Sequence, residues 1–137
     1  TIGWSNIESA TILKDEVDYI SFHYYEDLAD FETVYKKLRA EISEEKPIIL
    51  GEFGLSSYSG VWNIFGSSQK KQADYYKTIK PVIKKYNIPF LAWTLYDFDK
   101  IPKDVIGHRP WRVNPQRKYG FLTEKGKRKK GRNRGKE

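Results

Sequence analysis

The chain has 137 residues, no cysteine, two histidines and a formal net charge of +7. This length suits one ordinary domain. The missing cysteines exclude disulfides, thiolate catalysis and cysteine-bound zinc, and the isolated His23 and His108 are too few for a histidine metal site. The charge excess is local, because "KGKRKKGRNRGKE", Lys125 to Glu137, holds eight Lys/Arg against one acid, leaving 17 basic and 17 acidic side chains in residues 1–124.

Two regions are therefore expected: a neutral domain over 1–124 and a basic tail over 125–137, flexible because it has no apolar residues to bury. A tail that binds nucleic acid or an anionic surface is the competing reading of that segment, and it ranks last because the body is neutral. Neither a cofactor nor a metal is expected. No apolar run approaches the roughly 20 residues of a membrane-crossing helix, so no membrane partner is expected. The opening "TIGWSN" lacks the basic start and apolar stretch of a signal peptide and reads as a cut through a larger protein. Aromatic residues form 15% of the chain, which suits a cleft that stacks or hydrogen-bonds a ligand.

In chain order, "TIGW" reads as the end of a strand and Ile7 to Leu13 as a short helix. "VDYISFHYY", Val17 to Tyr25, is a buried strand by its β-branched and aromatic content. Asp30 is the expected N-cap of a helix whose Phe31, Val34, Tyr35, Leu38 and Ile42 form one apolar stripe. "PIILGEF", Pro47 to Phe53, is the next strand, buried on both faces up to Leu50 and followed by a loop that carries Trp62. Ser67 or Ser68 caps a second helix with Ala73, Tyr76, Ile79, Val82, Ile83 and Tyr86 on one side, which Pro81 should kink or split. "IPFLAWTLYDF", Ile88 to Phe98, is the last strand, and a long proline-containing stretch without period follows it. This alternation of strand and helix is the pattern of right-handed βαβ units and a parallel sheet.

Ligands of such sheets gather at the carboxyl ends of the strands. By alternation, Tyr19, Ser21, His23 and Tyr25 share one face of their strand; Ile48, Leu50 and Glu52 share a face of the next; Leu91, Trp93 and Leu95 share a face of the last. The strand ends can thus present His23, Tyr25, Glu52 and Trp93 to one pocket. A carboxylate beside a tyrosine hydroxyl and a wide aromatic floor suits a sugar, whose C–H face stacks on indole while the carboxylate attacks or stabilises the anomeric carbon.

"SFHYY", "ILGEFG" and "LAWTLYDF", in this order and spacing, resemble the sixth, seventh and eighth strands of the (β/α)8 glycoside hydrolases of clan A, most closely the family 5 cellulases and mannanases and the related family 2 barrels. "TIGWS" is similar to the end of the fifth strand and "YGFLTEKGK" to the stretch before the last helix. The resemblance implies an α/β fold of about four parallel strands alternating with helices, half of a TIM barrel. It implies Glu52 as catalytic nucleophile, His23 and Tyr25 at the cleaved bond with the tyrosine hydrogen-bonding the nucleophile, and Trp93 as sugar platform. Trp62 is a further candidate sugar contact. The implied reaction is retaining hydrolysis of a β-linked glycan, and the implied setting is secreted or periplasmic.

The acid/base glutamate of such enzymes ends the fourth strand, which has no counterpart here. Glu8 follows the strand matched to the fifth, and Glu26, Asp27, Asp97 and Asp99 read as solvated or substrate-contacting loop carboxylates. Four strands of a barrel would also leave two unpaired edges. Either the chain is part of a longer enzyme, needing its N-terminal half-barrel, or it completes the barrel with a second chain; alone it is expected to be inactive. Three functions follow: part of a glycosidase, a carbohydrate-binding remnant without turnover, and a nucleic-acid binder acting through the tail.

Overall fold

The computed structural model describes residues 1–63 and 66–129. They form two compact units, one of Thr1–Phe53 with Lys77–Ala92, the other of Gly54–Tyr76 with the residues from Trp93 onward.

The first unit holds a four-stranded, all-parallel sheet in the order β1 (Gly3–Trp4), β2 (Ile20–Tyr24), β3 (Ile48–Phe53), β4 (Phe90–Ala92). Helix α1 (Leu28–Glu41) links β2 to β3, and α2 (Gln69–Lys85) precedes β4. A 3-10 turn, Glu8–Thr11, stands where the helix over Ile7 to Leu13 was expected. Along β2, Ile20, Phe22 and Tyr24 are buried while Ser21 and His23 are half-buried, as strand alternation requires. The buried side packs with Phe31, Tyr35 and Leu38 of α1, Ile48, Leu50 and Phe53 of β3, and Ile79 and Ile83 of α2 as the core. Tyr24 meets Phe31 edge-on at 5.0 Å between ring centres, and its hydroxyl donates to the Asp27 carbonyl at 2.6 Å. Burial pushes that phenol up to about 12.

Several boundaries differ from the sequence reading. The cap of α1 is Asp27: its extended backbone places the carboxylate to accept from the Ala29 N–H at 3.0 Å, so the helix starts before Asp30, which sits in the first turn where an acid suits the helix dipole. For α2 the cap is Ser68, whose hydroxyl accepts from the Lys71 N–H at 3.1 Å, while the Ser67 hydroxyl bonds the Ser56 carbonyl. Pro81 does not split α2. One lost N–H bond is outweighed by Ile79 and Ile83, buried on either side of it. Strand β3 alternates, with Ile49 half-buried between Ile48 and Leu50, so it is not buried on both faces.

The last strand is the largest correction. Only Phe90–Ala92 pair with β3, and Phe90 and Leu91 are exposed rather than buried. Beyond Trp93 the backbone bonds within the second unit: Phe121 N–H to Thr94 O at 3.1 Å, Leu122 N–H to Leu95 O at 2.9 Å, Asp97 N–H to Leu122 O at 2.8 Å and Phe98 N–H to Arg117 O at 3.1 Å. With its backbone groups engaged there, the segment cannot continue in the sheet. The stretch read as aperiodic contains α3 (Lys103–Ile106) and α4 (Pro110–Gln116), the latter opened by a proline at its first position. Of the basic segment, Lys125–Lys129 are described: Gly126 closes a turn on Thr123, and the Lys129 side chain is buried against Asp97 at 2.6 Å. Residues 130–137 lie outside the described residues.

One exposed ion cluster in the first unit makes stability pH-dependent. Glu32 Oε1 accepts from Lys85 Nζ at 2.8 Å and Tyr86 Oη at 2.6 Å, with Lys36 at 3.4 Å, and these donors, Lys85 foremost, hold its carboxyl at about 2. A folded-state value below the unfolded one means the contribution is complete above about 4.5 and is lost as pH falls towards 2. Thermal melts between pH 5 and pH 2 should therefore fall more steeply for the parent chain than for Glu32→Gln.

Candidate functional site

Glu52 occupies its place because β3 carries one residue more than β2. Phe22 pairs with Leu50, but His23 pairs with Glu52, so Gly51 is absorbed in a bulge. Alternation alone puts Glu52 on the face of Ile48 and Leu50, the buried side. The bulge turns it to the face of Ser21 and His23, and Phe53 then pairs with Tyr24 on the buried side. Glu52 thus lies on the opposite face from the one alternation gives, and in the sequence only the glycine before the glutamate hints at it.

On the open face, the Tyr25 hydroxyl donates to Glu52 Oε1, and His23 Nδ1 lies 3.3 Å from Glu52 Oε2. Each carboxylate oxygen thus meets one donor-capable group and keeps lone-pair capacity. The side chains of His23 and Glu52 are 28% and 26% exposed, partly desolvated yet open to a solute. The imidazole's other nitrogen lies over Gly3, where a β-carbon would stand 3.4 Å from Nε2. The arrangement holds a carboxylate in one orientation with an accessible face, which is what attack on an electrophilic carbon needs.

His23, Tyr25 and Glu52 all belong to the first unit; Trp93 and Trp62 belong to the second. Trp93 directly follows β4, is 37% exposed, and its ring lies 5.7 Å from that of Phe98. Trp62, at φ +67 in the 3-10 turn Val61–Asn63, is 91% exposed, so it projects from the surface rather than lying against it. Glu8 sits in the 3-10 turn and Asp97 is buried in the second unit. Among the described residues no three His, Cys, Asp or Glu side chains group as metal ligands, and no helix is long and apolar enough to cross a membrane.

The sequence model of the glycosyl hydrolase catalytic core matches residues 5–101, well over half of the chain. Among curated proteins no sequence matches. Solved structures share the fold. A glycoside hydrolase family 17 β-1,3-glucanosyltransferase from Rhizomucor miehei superposes with a TM-score of 0.61 at 16% identity, over 93% of this chain and 47% of that one. A Bacteroides uniformis β-glucuronidase gives 0.67 at 20% identity, over 93% and 16%. An endo-laminarinase from Formosa Hel1_33_131 gives 0.55 at 19% identity, over 89% and 43%. The chain therefore spans less than half the length of each of these structures. The four parallel strands and their helices are a partial TIM barrel.

Proposed function

Because the chain belongs to the glycosyl hydrolase catalytic core family, we propose that it supplies the nucleophile half of a retaining β-glycosidase, with Glu52 as the nucleophile. The observation that carries this is the convergence of Tyr25 and His23 on the two oxygens of Glu52 at the carboxyl end of β3. We read the ordered strand ends as those of clan A, with His23 and Tyr25 at the cleaved bond, Trp93 as sugar platform and Trp62 as a further sugar contact. The substrate is a β-linked glycan, the class named for the β-1,3-glucanosyltransferase and laminarinase that share the fold.

A Glu52 oxygen attacks the anomeric carbon, a C–O ester bond forms as the bond to the leaving oxygen breaks, and water later releases the sugar with retained configuration. Protonation of the leaving oxygen needs a second carboxyl about 5 to 5.5 Å away. No carboxylate of this chain is assigned that role, so the acid/base comes from another half-barrel. Turnover of natural glycans by Thr1 to Glu137 alone should then be negligible.

The nucleophilic step can be tested without the acid, since a dinitrophenolate leaves unprotonated. Fluorinated β-glucoside, β-mannoside and β-glucuronide probes with this leaving group should label the chain covalently. Tyr25→Phe should slow labelling about 10- to 100-fold, the loss of one hydrogen bond to a charged group. Equal rates for Tyr25→Phe and the parent chain would contradict the role of Tyr25. Efficient hydrolysis of an underivatised glycan by the isolated chain would contradict the division of labour.

A further inference from the structure

The bulge in β3 raises the question of what holds it. Gly51 does not need to be glycine for its backbone, because its φ lies outside the left-handed region. It needs to be glycine for space. A β-carbon there would stand 2.2 Å from the Ser21 hydroxyl oxygen, while the next atoms, Phe22 O and Ser21 Cβ, are at 3.6 Å, ordinary contact. One oxygen atom is thus the obstacle. Ser21 stands one residue before Phe22, the last β2 residue ahead of the register shift, on the same face as His23 and Glu52.

We propose that Ser21 and Gly51 are a matched pair of positioning residues: the serine hydroxyl fills the space that the glycine leaves, so that while Ser21 is present the bulge that turns Glu52 toward His23 and Tyr25 tolerates no side chain at 51. A side chain at 51 pushes against the Ser21 hydroxyl, which must either rotate away within the strand pair or be relieved by a move of the bulge, the outcome the proposal expects. If Gly51 instead paired with His23, Glu52 would fall opposite Tyr24 on the buried side. The importance given to Glu52 rests on the glycosidase reading; the fit between Ser21 and Gly51 does not.

A spectroscopic signature follows from the Glu52 oxygen 3.3 Å from His23 Nδ1. A carboxylate there favours the neutral imidazole with its proton on Nδ1, against the Nε2–H form that prevails in water. Ring nitrogen shifts of the two histidines, taken at a pH where both are neutral, report it directly, with exposed His108 as the internal reference. In the parent chain and in Ser21→Ala, His23 should be mainly Nδ1–H. Gly51→Ala should move it mainly to Nε2–H and lower the melting midpoint by roughly 5 °C, the scale of overpacking. Ser21→Ala/Gly51→Ala should restore both, because removing the oxygen leaves the new methyl at 3.6 Å from its neighbours.

That rescue is what a purely conformational need for glycine would not produce. If Gly51→Ala does not fold, a folded double variant with Nδ1–H His23 supports the proposal equally. A Nε2–H parent, an unchanged tautomer in Gly51→Ala, or a double variant that is unfolded or remains Nε2–H would each overturn it. Failure of covalent labelling with the tautomer pattern intact would remove the glycosidase reading and leave the positioning pair standing.

Discussion

Replacing Asp97 by alanine is expected to lower the melting midpoint by roughly 10–20 °C, the equivalent of about 3–5 kcal/mol. The reason lies in how completely the surrounding charges are matched. Lys129 Nζ donates to Asp97 Oδ1 at 2.6 Å, Ser57 Oγ at 2.8 Å and the Lys118 carbonyl at 3.0 Å, which uses all three of its protons. Asp97 Oδ1 also accepts the Gly120 N–H at 2.9 Å, and Lys118 Nζ stands 3.6 Å from Oδ2. The two side chains are 1% and 5% exposed. Burial pulls the Lys129 ammonium below the ordinary lysine value, and Asp97 is the main opposing influence. Without Asp97, the ammonium keeps its burial and loses its counter-charge, and the Gly120 N–H loses its acceptor.

The converse change should be milder. In Lys129→Met, Asp97 keeps the Gly120 N–H and the facing Lys118 ammonium, so its charge is not left alone. Thermal melts of the two variants side by side check this asymmetry. A midpoint for Asp97→Ala within a few degrees of the parent would show that water or a rearranged lysine replaces the carboxylate, contrary to the geometry.

The second large effect is chemical. Glu52→Gln should slow covalent labelling by at least about 10⁴-fold, on the scale seen when a residue that forms or activates the reactive bond is removed. Glutamine keeps the shape and still accepts from the Tyr25 hydroxyl, so the fold should survive, as circular dichroism would verify. What it lacks is the anionic oxygen proposed to attack the anomeric carbon. If Glu52→Gln labels at the parent rate, the attacking group lies elsewhere.

The candidate site residues stood out in the sequence as residue types at strand ends, but their orientation did not. A polar glutamate after an apolar run, and a His-x-Tyr after another, are visible in "PIILGEF" and "SFHYY". The face that Glu52 occupies was not, because a bulge adds a residue without altering the apolar pattern, and a period of two carried past Gly51 gives the wrong side. The length of the last strand was hidden for a related reason. Residues 94–98 keep a strand-like composition while hydrogen-bonding to residues 117–122, a partnership that only long-range structure reveals. Lys129 shows the same limit from the other side. In a segment of glycines and basic residues it looks solvated, yet Asp97, Ser57 and the Lys118 carbonyl provide a site for its ammonium.

Helix starts were nearly legible, with the choice between neighbouring caps decided by geometry. Asp27 and Asp30 are both suitable caps by type, and only Asp27 places its carboxylate on the N–H two residues on. The parallel sheet follows from the alternation of strand and helix and the apolar stripe of α1 from its period, while the order of the strands is the one that the barrel resemblance implies.

The identity of the labelled residue tests the central claim most directly. After incubation with the fluorinated β-glycoside probes, intact mass followed by peptide mapping should find one glycosyl adduct, on the peptide that contains Glu52, with the ester at its carboxylate. An adduct on any other carboxylate, or no adduct with any of the gluco-, manno- and glucurono-configured probes, would contradict the assignment of Glu52 as nucleophile.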